Sequence, residues 1–137
     1  MSLANYGNDS FILTINGRLI TDFGETASPF TDAPIDPKRV LRRGQGGKAV
    51  QLSRTNPGRE ANVYLNPGSP DSAYVQGLFN SGAVITVSTT QVGTLEAAIG
   101  TDGIITNDAA NNRGGTTISD DQYTMQFNVW NATKGGI

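Results

Sequence analysis

The amino-acid sequence predicts a mainly β protein, an antiparallel β-sandwich or barrel with one flanking α-helix and an extended basic hairpin. Three observations support this fold class. Apolar and polar residues alternate in several short runs, and only one segment has the apolar spacing and end signals of a helix. Turn-forming residues are abundant, with 17 glycines among 137 residues. A chain of this length has the usual size of one domain, so we expect a single domain over residues 1–137.

The first predicted hairpin lies near the start of the chain. In residues 11–15 every second side chain is large and apolar, and Asn16-Gly17 follows directly. Asn-Gly is the strongest short hairpin signal, because both central residues of a type I′ turn need a positive φ. We expect the returning strand over residues 18–23.

A loop and a second, basic hairpin are predicted next. Residues 24–35 contain two prolines and many small polar side chains, which favours a loop. Two short β-prone runs then flank the glycine-rich residues 44–47, which predicts a basic hairpin over about residues 36–59. Alternation resumes over residues 60–66 and indicates another strand.

The predicted helix covers about residues 69–80. Ser69 is a suitable N-cap, and Pro70 stands at the first helical position, where a missing N–H costs nothing. Apolar side chains four residues apart form one stripe, and Gly82 supplies a stop signal. A helix with one apolar stripe needs a sheet to pack against.

The C-terminal part is predicted to be β again. Residues 83–90 are rich in β-branched side chains, and residues 95–106 are expected to form a hairpin that turns at an Asp-Gly pair. A polar loop is expected over residues 107–117, followed by a last strand over residues 123–130. One face of that strand is apolar, and the other is polar until Trp130. We expect Trp130 either to form part of an exposed partner surface or to cap an edge of the core.

The chain contains no histidine and no cysteine. Disulfides, thiolate nucleophiles, histidine or cysteine metal sites and Ser-His-Asp triads are therefore excluded. We predict no catalytic residue, no cofactor-binding residue, no metal site and no enzymatic activity. Asp120-Asp121, the only adjacent acid pair, is expected to be solvated in a turn. Residues 44–48 (GQGGK) lack the full spacing of a phosphate-binding loop.

The net charge of −2 conceals a strong separation of charge. Residues 36–60 carry seven of the ten basic residues and two acidic ones, a net charge of +5, and the remainder carries −7. This segment could be a solvated loop, a nucleic-acid patch that contacts phosphates, or a surface complementary to another copy of the chain. We favour the third hypothesis, because the segment has no aromatic residue to stack on a base. The predicted interface residues are the seven cations and the tryptophan of the last strand: Lys38, Arg39, Arg42, Arg43, Lys48, Arg54, Arg59 and Trp130.

Three segments of the chain resemble tail tube proteins of contractile-tailed bacteriophages, in the short form found in small myophages. They are SFILTINGRLITDFG (residues 10–24), PGSPDSAYVQGLFNSGAVITVS (residues 67–88) and ISDDQYTMQFNVWNATKGG (residues 118–136). The chain is also similar to the tube proteins of secretion systems, which share that fold. In this family an extended loop in the first half typically bridges neighbouring subunits or rings, and residues 24–59 occupy its place here.

The resemblance implies a structural role. Six copies would form a ring, and rings would stack into a tube inside a contractile sheath, with double-stranded DNA passing through the channel without specific binding. The implied partners are further copies of the chain and the sheath, tape measure, baseplate and terminator proteins. The implied location is the virion tail, after assembly in the host cytoplasm.

Two other functions stay open at this point. The chain could be a tail terminator or a baseplate-proximal tube component, which resemble the tube subunit. It could also be a β-sandwich module that binds a carbohydrate or a protein, with Trp130, Tyr64 and Tyr74 as platforms. The longest apolar runs have four or five residues, and the N-terminal sequence lacks a basic region followed by an apolar one. Neither a membrane segment nor a signal peptide is therefore expected.

Overall fold

The computed structural model describes Leu3, Tyr6, Gly7 and residues 10–135. The N-terminal residues considered above for a signal peptide therefore lie mostly outside the described part. Nine strands and one helix follow in chain order: β1 Phe11–Ile15, β2 Arg18–Ile20, β3 Phe30–Pro34, β4 Arg39–Arg43, β5 Ala49–Ser53, β6 Arg59–Leu65, α1 Pro70–Ser81, β7 Ile85–Gln91, β8 Glu96–Ile105 and β9 Asp121–Thr133.

The strands form one large antiparallel sheet and one small one. Seven strands pair in the order β2-β1-β7-β8-β9-β6-β3, and β4 pairs with β5 in a separate two-stranded sheet. The predicted mainly β, antiparallel fold with one helix is thus confirmed. Both predicted early hairpins are also present, as β1–β2 and β4–β5.

The large sheet curls until strands far apart in its order meet, without closing into a barrel. Phe11 in β1 and Phe30 in β3 have ring centroids 5.9 Å apart, although four strands lie between them in the sheet. Phe23, just beyond β2, forms an isolated bridge with Leu65 at the end of β6. The inner face of the curl encloses the core, to which β1, β6, β7 and β9 contribute most of the buried side chains.

The helix packs on this core and ends where the sequence predicted. The Ser69 hydroxyl accepts a hydrogen bond from the Ser72 N–H at 3.2 Å, and Gly82 takes the left-handed conformation at the C-cap with φ 68°. Val75 is fully buried in the core cluster. At 12 residues α1 is short, and no helix in the described part of the chain is long and apolar enough to cross a membrane.

The loop prediction for residues 24–35 was wrong in its second half, where β3 forms. β3 is the last strand of the sheet order and pairs only with β6. Proline is tolerated in such an edge strand because one side of it has no partner that needs an N–H. Pro34 is the last residue of β3 and lies opposite Arg59.

The predicted hairpin over residues 95–106 was also wrong. β8 is one continuous ten-residue strand, and the Asp-Gly pair marks an irregularity within it. Asp102 has φ 52°, and the pairing of β7 with β8 shifts register between Ile85 and Val87. A positive φ is used by β-bulges as well as by tight turns, so the Asp-Gly signal was misinterpreted. The last strand is longer than predicted and runs from 121 to 133.

Candidate assembly surface

A two-stranded ribbon projects from one end of the large sheet; residues 36–58 are here called the arm. The ribbon continues the β3–β6 ladder, because the Ile35 N–H donates to the Gly58 carbonyl at 3.3 Å and the Asp36 N–H donates to the Pro57 carbonyl at 3.1 Å. β4 and β5 follow, and every residue in them is exposed. At about 3.3 Å per residue a ribbon of this length spans roughly 30 Å from the start of β6.

One face of the arm carries three exposed aliphatic side chains. In an antiparallel pair directly opposed residues share a face, and Val40 lies opposite Leu52 while Arg42 lies opposite Val50. These aliphatic side chains are here called the apolar face. They are Val40, which is 45% exposed, Val50, which is 59% exposed, and Leu52, which is 51% exposed. An isolated two-stranded ribbon is only marginally stable in water. The apolar face is therefore a surface that gains stability when it is covered.

The cations of the arm are largely uncompensated. Arg54 lies 3.8 Å from Asp36, and both side chains are about half exposed, so this pair contributes little. The other five basic side chains have no ion pair with any residue that the structure describes. They are Lys38, Arg39, Arg42, Arg43 and Lys48.

Arg59 and Trp130 lie apart from these five cations, at the base of the arm. The Arg59 Nε donates to Asp32 at 2.9 Å, and the guanidinium carbon lies 5.6 Å from the centroid of the Trp130 ring. Trp130 is half-buried against Phe127, with ring centroids 5.6 Å apart. Trp130 therefore caps an edge of the core, and Arg59 ties the base of the arm to the body of the protein. A role for either residue in a subunit interface stays a prediction.

Three acidic residues lie near the opposite end of β6; Asp22, Glu25 and Asp120 are here called the acidic end. The Asp22 carbonyl accepts a hydrogen bond from the Asn66 N–H at 2.8 Å, directly after β6. The Asp120 carboxylate accepts from the Glu25 N–H at 3.3 Å, and Leu65 pairs with the residue after Asp120. None of the three carboxylates has an ion pair within the described part of the chain. Sequence reasoning missed this cluster, because its members come from segments about 95 residues apart.

A buried carboxylate next to the acidic end serves the fold. Asp71, in the first turn of α1, accepts hydrogen bonds from Arg18 Nε at 2.9 Å and from the Thr21 and Asp22 N–H groups at 2.8 and 3.0 Å. Burial alone would raise the pKa of Asp71, but the two N–H groups and the guanidinium outweigh it and lower that pKa below its usual value. The ionised carboxylate fixes the start of α1 to the end of β2.

The expectation that Asp120-Asp121 is a solvated pair was wrong for Asp121. This side chain is buried, accepts from the Ser72 hydroxyl at 2.5 Å, and pairs with an Arg113 guanidinium nitrogen at 2.7 Å. Burial raises the pKa of the neighbouring Tyr123, and its hydroxyl lies 3.0 Å from the Gln76 amide oxygen. These contacts join α1 to β9 and leave no free carboxylate pair for acid–base chemistry there.

The three aromatic side chains considered as a ligand platform lie at separate places. The Tyr74 ring lies under the Arg18 guanidinium at 5.1 Å, at the helix. Tyr64 is on the face of β6 opposite its buried residues, and Trp130 lies at the base of the arm. No single flat surface joins them, which weakens the ligand-binding hypothesis.

Known structures resemble this chain over nearly its whole length. No protein-family model and no curated protein sequence matches it. A chain from the virion of a native gene transfer agent particle has a TM-score of 0.64 at 12% identity, covering 93% of this chain and 98% of that one. The anti-feeding prophage tube-terminating cap gives 0.61 at 12% identity over 98% and 95%. The sheath/tube terminator of an extracellular contractile injection system gives 0.60 at 10% identity over 93% and 96%.

The chain shares its fold with proteins of contractile injection systems and gene transfer agents. The fold implied by the three sequence segments is therefore confirmed. At 10–12% identity the likeness is one of fold. The arm, with its apolar face and five cations that lack an ion pair among the residues described, is the feature of this chain on which a proposed function can be based.

Proposed function

We propose that this protein is a structural, non-enzymatic subunit of a contractile-type tail tube, and that it assembles as hexameric rings that stack on one another. The observation that carries this proposal is the arm: a ribbon about 30 Å long, with exposed aliphatic side chains and five cations that have no ion pair among the described residues. Such a ribbon has little to stabilise it in an isolated subunit. Another copy of the chain can supply both the apolar cover and the opposite charge.

The remaining parts of the proposal follow from the family that the sequence resembles. The stacked rings enclose a channel through which double-stranded DNA passes without specific binding. The tube lies in the virion tail, is assembled in the host cytoplasm, and meets sheath, tape measure, baseplate and terminator proteins. The shared fold with proteins of phage-like particles supports this location.

Electron microscopy of the purified protein, over a range of protein and salt concentrations, tests the proposal. We expect rings, and at higher protein concentration tubes of constant diameter. Analytical ultracentrifugation on the same samples gives the mass of the smallest closed species. A protein that stays strictly monomeric under all these conditions would contradict a tube role.

A tail terminator is the second candidate, and the likeness to chains in two terminator structures supports it. A terminator closes the tube, so one of its faces does not accept another ring. A tube subunit stacks without limit, whereas a terminator stops at a single closed ring. Counting the rings per particle in the same micrographs separates the two functions.

A further inference from the structure

The turn between β1 and β2 holds the only Asn-Gly sequence of the chain. Asn16 and Gly17 are both exposed, and both take positive φ values, 49° and 84°. An asparagine that precedes glycine is especially prone to spontaneous deamidation, because glycine has no side chain to shield its backbone nitrogen from the asparagine side chain. This turn is therefore a candidate site of covalent modification, and it lies outside the surfaces described above.

The reaction needs only the chain itself and water. The backbone nitrogen of Gly17 attacks the side-chain carbonyl carbon Cγ of Asn16, a new C–N bond closes a five-membered succinimide ring, and the bond from Cγ to Nδ2 breaks. The Gly17 nitrogen loses its proton, and the NH₂ group departs as ammonia. Water then opens the ring at either carbonyl and leaves aspartate or isoaspartate at position 16. In isoaspartate the main chain runs through Cβ, so it is one carbon longer.

The closed turn keeps the reacting atoms apart. Ring closure requires the Asn16 Cβ and the Gly17 nitrogen to come close to eclipsed about the bond from Cα to the carbonyl carbon. In the left-handed region that Asn16 occupies, ψ lies at roughly +30 to +60°, which sets these two atoms nearly opposite each other. The Asn16 side chain is also held in place, because its Oδ1 accepts from the Thr86 N–H at 2.7 Å and its Nδ2 donates to the Val84 carbonyl at 3.4 Å. Attack therefore requires the turn to open.

β2 can open without the rest of the sheet. It has three residues, lies at one edge of the sheet and pairs only with β1. Besides this pairing, the buried Ile20 side chain and the ion pair of Arg18 with Asp71 at 2.9 Å attach it to the body of the protein. Segments with few buried side chains open at a lower free energy than the whole fold. The turn should therefore open while the core stays folded.

We propose that Asn16 is a deamidation site gated by the β1–β2 hairpin: the closed turn protects it, the opened hairpin reacts, and the product hinders reclosing. A carboxylate at position 16 cannot donate to the Val84 carbonyl. Isoaspartate lengthens a two-residue turn that fixes the register of Leu13 opposite Ile20. A subunit that reacts while its hairpin is open is thus marked permanently. The reaction does not involve rings or tubes, so it stands or fails separately from the tube role.

Peptide mapping by mass spectrometry measures the reaction. Purified protein is incubated at mildly alkaline pH, folded in buffer and unfolded in guanidinium chloride. The peptide that contains Asn16 is followed for the mass change that replacement of NH₂ by OH produces. The folded protein should react at least about tenfold more slowly than the unfolded protein, because opening the hairpin costs free energy. Equal rates would overturn protection by the turn, and no reaction in the unfolded protein would overturn the site itself.

Two truncations of similar size show which opening matters. Ile20→Ala removes the buried side chain of β2, and Met125→Ala removes a buried side chain of β9, away from the hairpin. Each folded-state rate is divided by the same variant's rate in guanidinium chloride, which cancels any change in intrinsic reactivity. Ile20→Ala should raise this ratio by about tenfold or more, and Met125→Ala by less than about threefold. Equal increases would mean that the reaction needs global unfolding, and they would overturn the gate.

A milder pair of variants keeps the gate testable if a core truncation does not fold. Arg18→Gln removes the ion pair with Asp71 and keeps the buried side chains, whereas Lys134→Gln removes the exposed ion pair with Glu96 elsewhere. Arg18→Gln should raise the normalised rate by about threefold, and Lys134→Gln should leave it unchanged. Circular dichroism establishes that each variant is folded. The same rate in both variants would contradict opening of β2.

Asn16→Asp isolates the effect of one product. This variant keeps an acceptor for the Thr86 N–H and loses the donor to the Val84 carbonyl, so amide hydrogen exchange in residues 18–20 should accelerate by about threefold or more. Exchange at Met125 in β9 is the internal control and should not change. In aged wild-type protein, the isoaspartate form should exchange faster in residues 18–20 than the unmodified form. Unchanged exchange in both products would overturn their effect on reclosing.

Discussion

Replacing Asp71 by asparagine should destabilise the fold. Asp71 is almost completely buried and accepts three hydrogen bonds, from Arg18 and from the N–H groups of Thr21 and Asp22. Asparagine has nearly the same shape, so the change removes the negative charge and one acceptor oxygen without opening a cavity. Its amide NH₂ group would face donors in place of that oxygen.

The magnitude follows from the kind of hydrogen bonds that are lost. A hydrogen bond to a charged group contributes about 1.5–3 kcal/mol, and a buried N–H left without an acceptor costs about 1–3 kcal/mol. Asparagine retains one oxygen acceptor, and the Arg18 side chain is 41% exposed, so water can solvate its guanidinium. We expect the free energy of unfolding to fall by roughly 2–3 kcal/mol at pH 7.

The effect should depend on pH in a defined direction. The pKa of Asp71 is lowered in the folded protein from its ordinary value of 3.8, so the ionised group stabilises the fold above that pH. This contribution is lost as the pH falls from 3.8 through the lower, folded-state pKa. The difference between wild type and Asp71→Asn should therefore be constant near neutral pH and shrink below about pH 4.

Urea unfolding followed by circular dichroism at pH 7 and at pH 3 measures both quantities. Asp22→Asn is the matched control, because no side-chain hydrogen bond or ion pair of Asp22 occurs among the described residues. A difference at pH 7 of less than about 0.5 kcal/mol, the usual range for surface changes, would refute the structural reasoning for Asp71. So would a difference that stays equal at the two pH values.

Three further outcomes are expected. Gly100→Ala should lower the free energy of unfolding by about 1–3 kcal/mol, because a Cβ there would lie 2.6 Å from a Trp130 ring carbon. Thermal melting measures this loss, and Gly46→Ala is the control, because a Cβ at Gly46 would have no atom within 4 Å and should change the stability little. Ser69→Ala should cost about 1 kcal/mol by removing the N-cap acceptor of α1, and an unchanged melting temperature would mean that the cap contributes nothing. Stacking should weaken as ionic strength rises from about 0.05 to 0.5 M, because exposed charges are screened. Sedimentation velocity measures the size of the assemblies at each salt concentration, and assembly that is insensitive to salt would contradict an electrostatic contribution to stacking.

Local sequence signals predicted the elements that depend on adjacent residues. The helix was found because Ser69 and Gly82 act within one turn of its ends. The first hairpin was found because Asn16 and Gly17 both take positive φ values, 49° and 84°. In each case the residues that decide the structure lie at or within a few positions of the helix end or turn that they form, so no tertiary information was needed.

The misinterpreted elements depend on distant partners. Asp102 takes a positive φ, as the Asp-Gly signal indicated, but β8 is paired with β7 on one side and β9 on the other. Two flanking strands keep the chain extended, so the irregularity becomes a bulge instead of a reversal. Asp121 was expected in solvent because its partners, Ser72 and Arg113, cannot be recognised from its own neighbourhood.

In the candidate assembly surface, too, the sequence predicted some residues and could not place others. The five cations of the arm that have no ion pair in the described part of the chain lie within eleven consecutive positions, from Lys38 to Lys48, so the sequence alone located them. Arg59 follows shortly in sequence, yet its place in β6 puts it over Trp130 and beside Asp32. The acidic end could not be predicted, because only the pairing of strands brings Glu25 to Asp120.

Distance explains why the separated charges point to association between copies. The arm extends roughly 30 Å from one end of β6, and the acidic end lies roughly 20 Å away at the other. At physiological ionic strength charges are screened over about 8 Å, so within one chain the two groups hardly attract each other. A second copy can bring opposite charges into contact and cover Val40, Val50 and Leu52 in the same step. The self-association that we propose would therefore relieve both the charge separation and the exposure of the apolar face, which each cost stability or solubility in an isolated subunit.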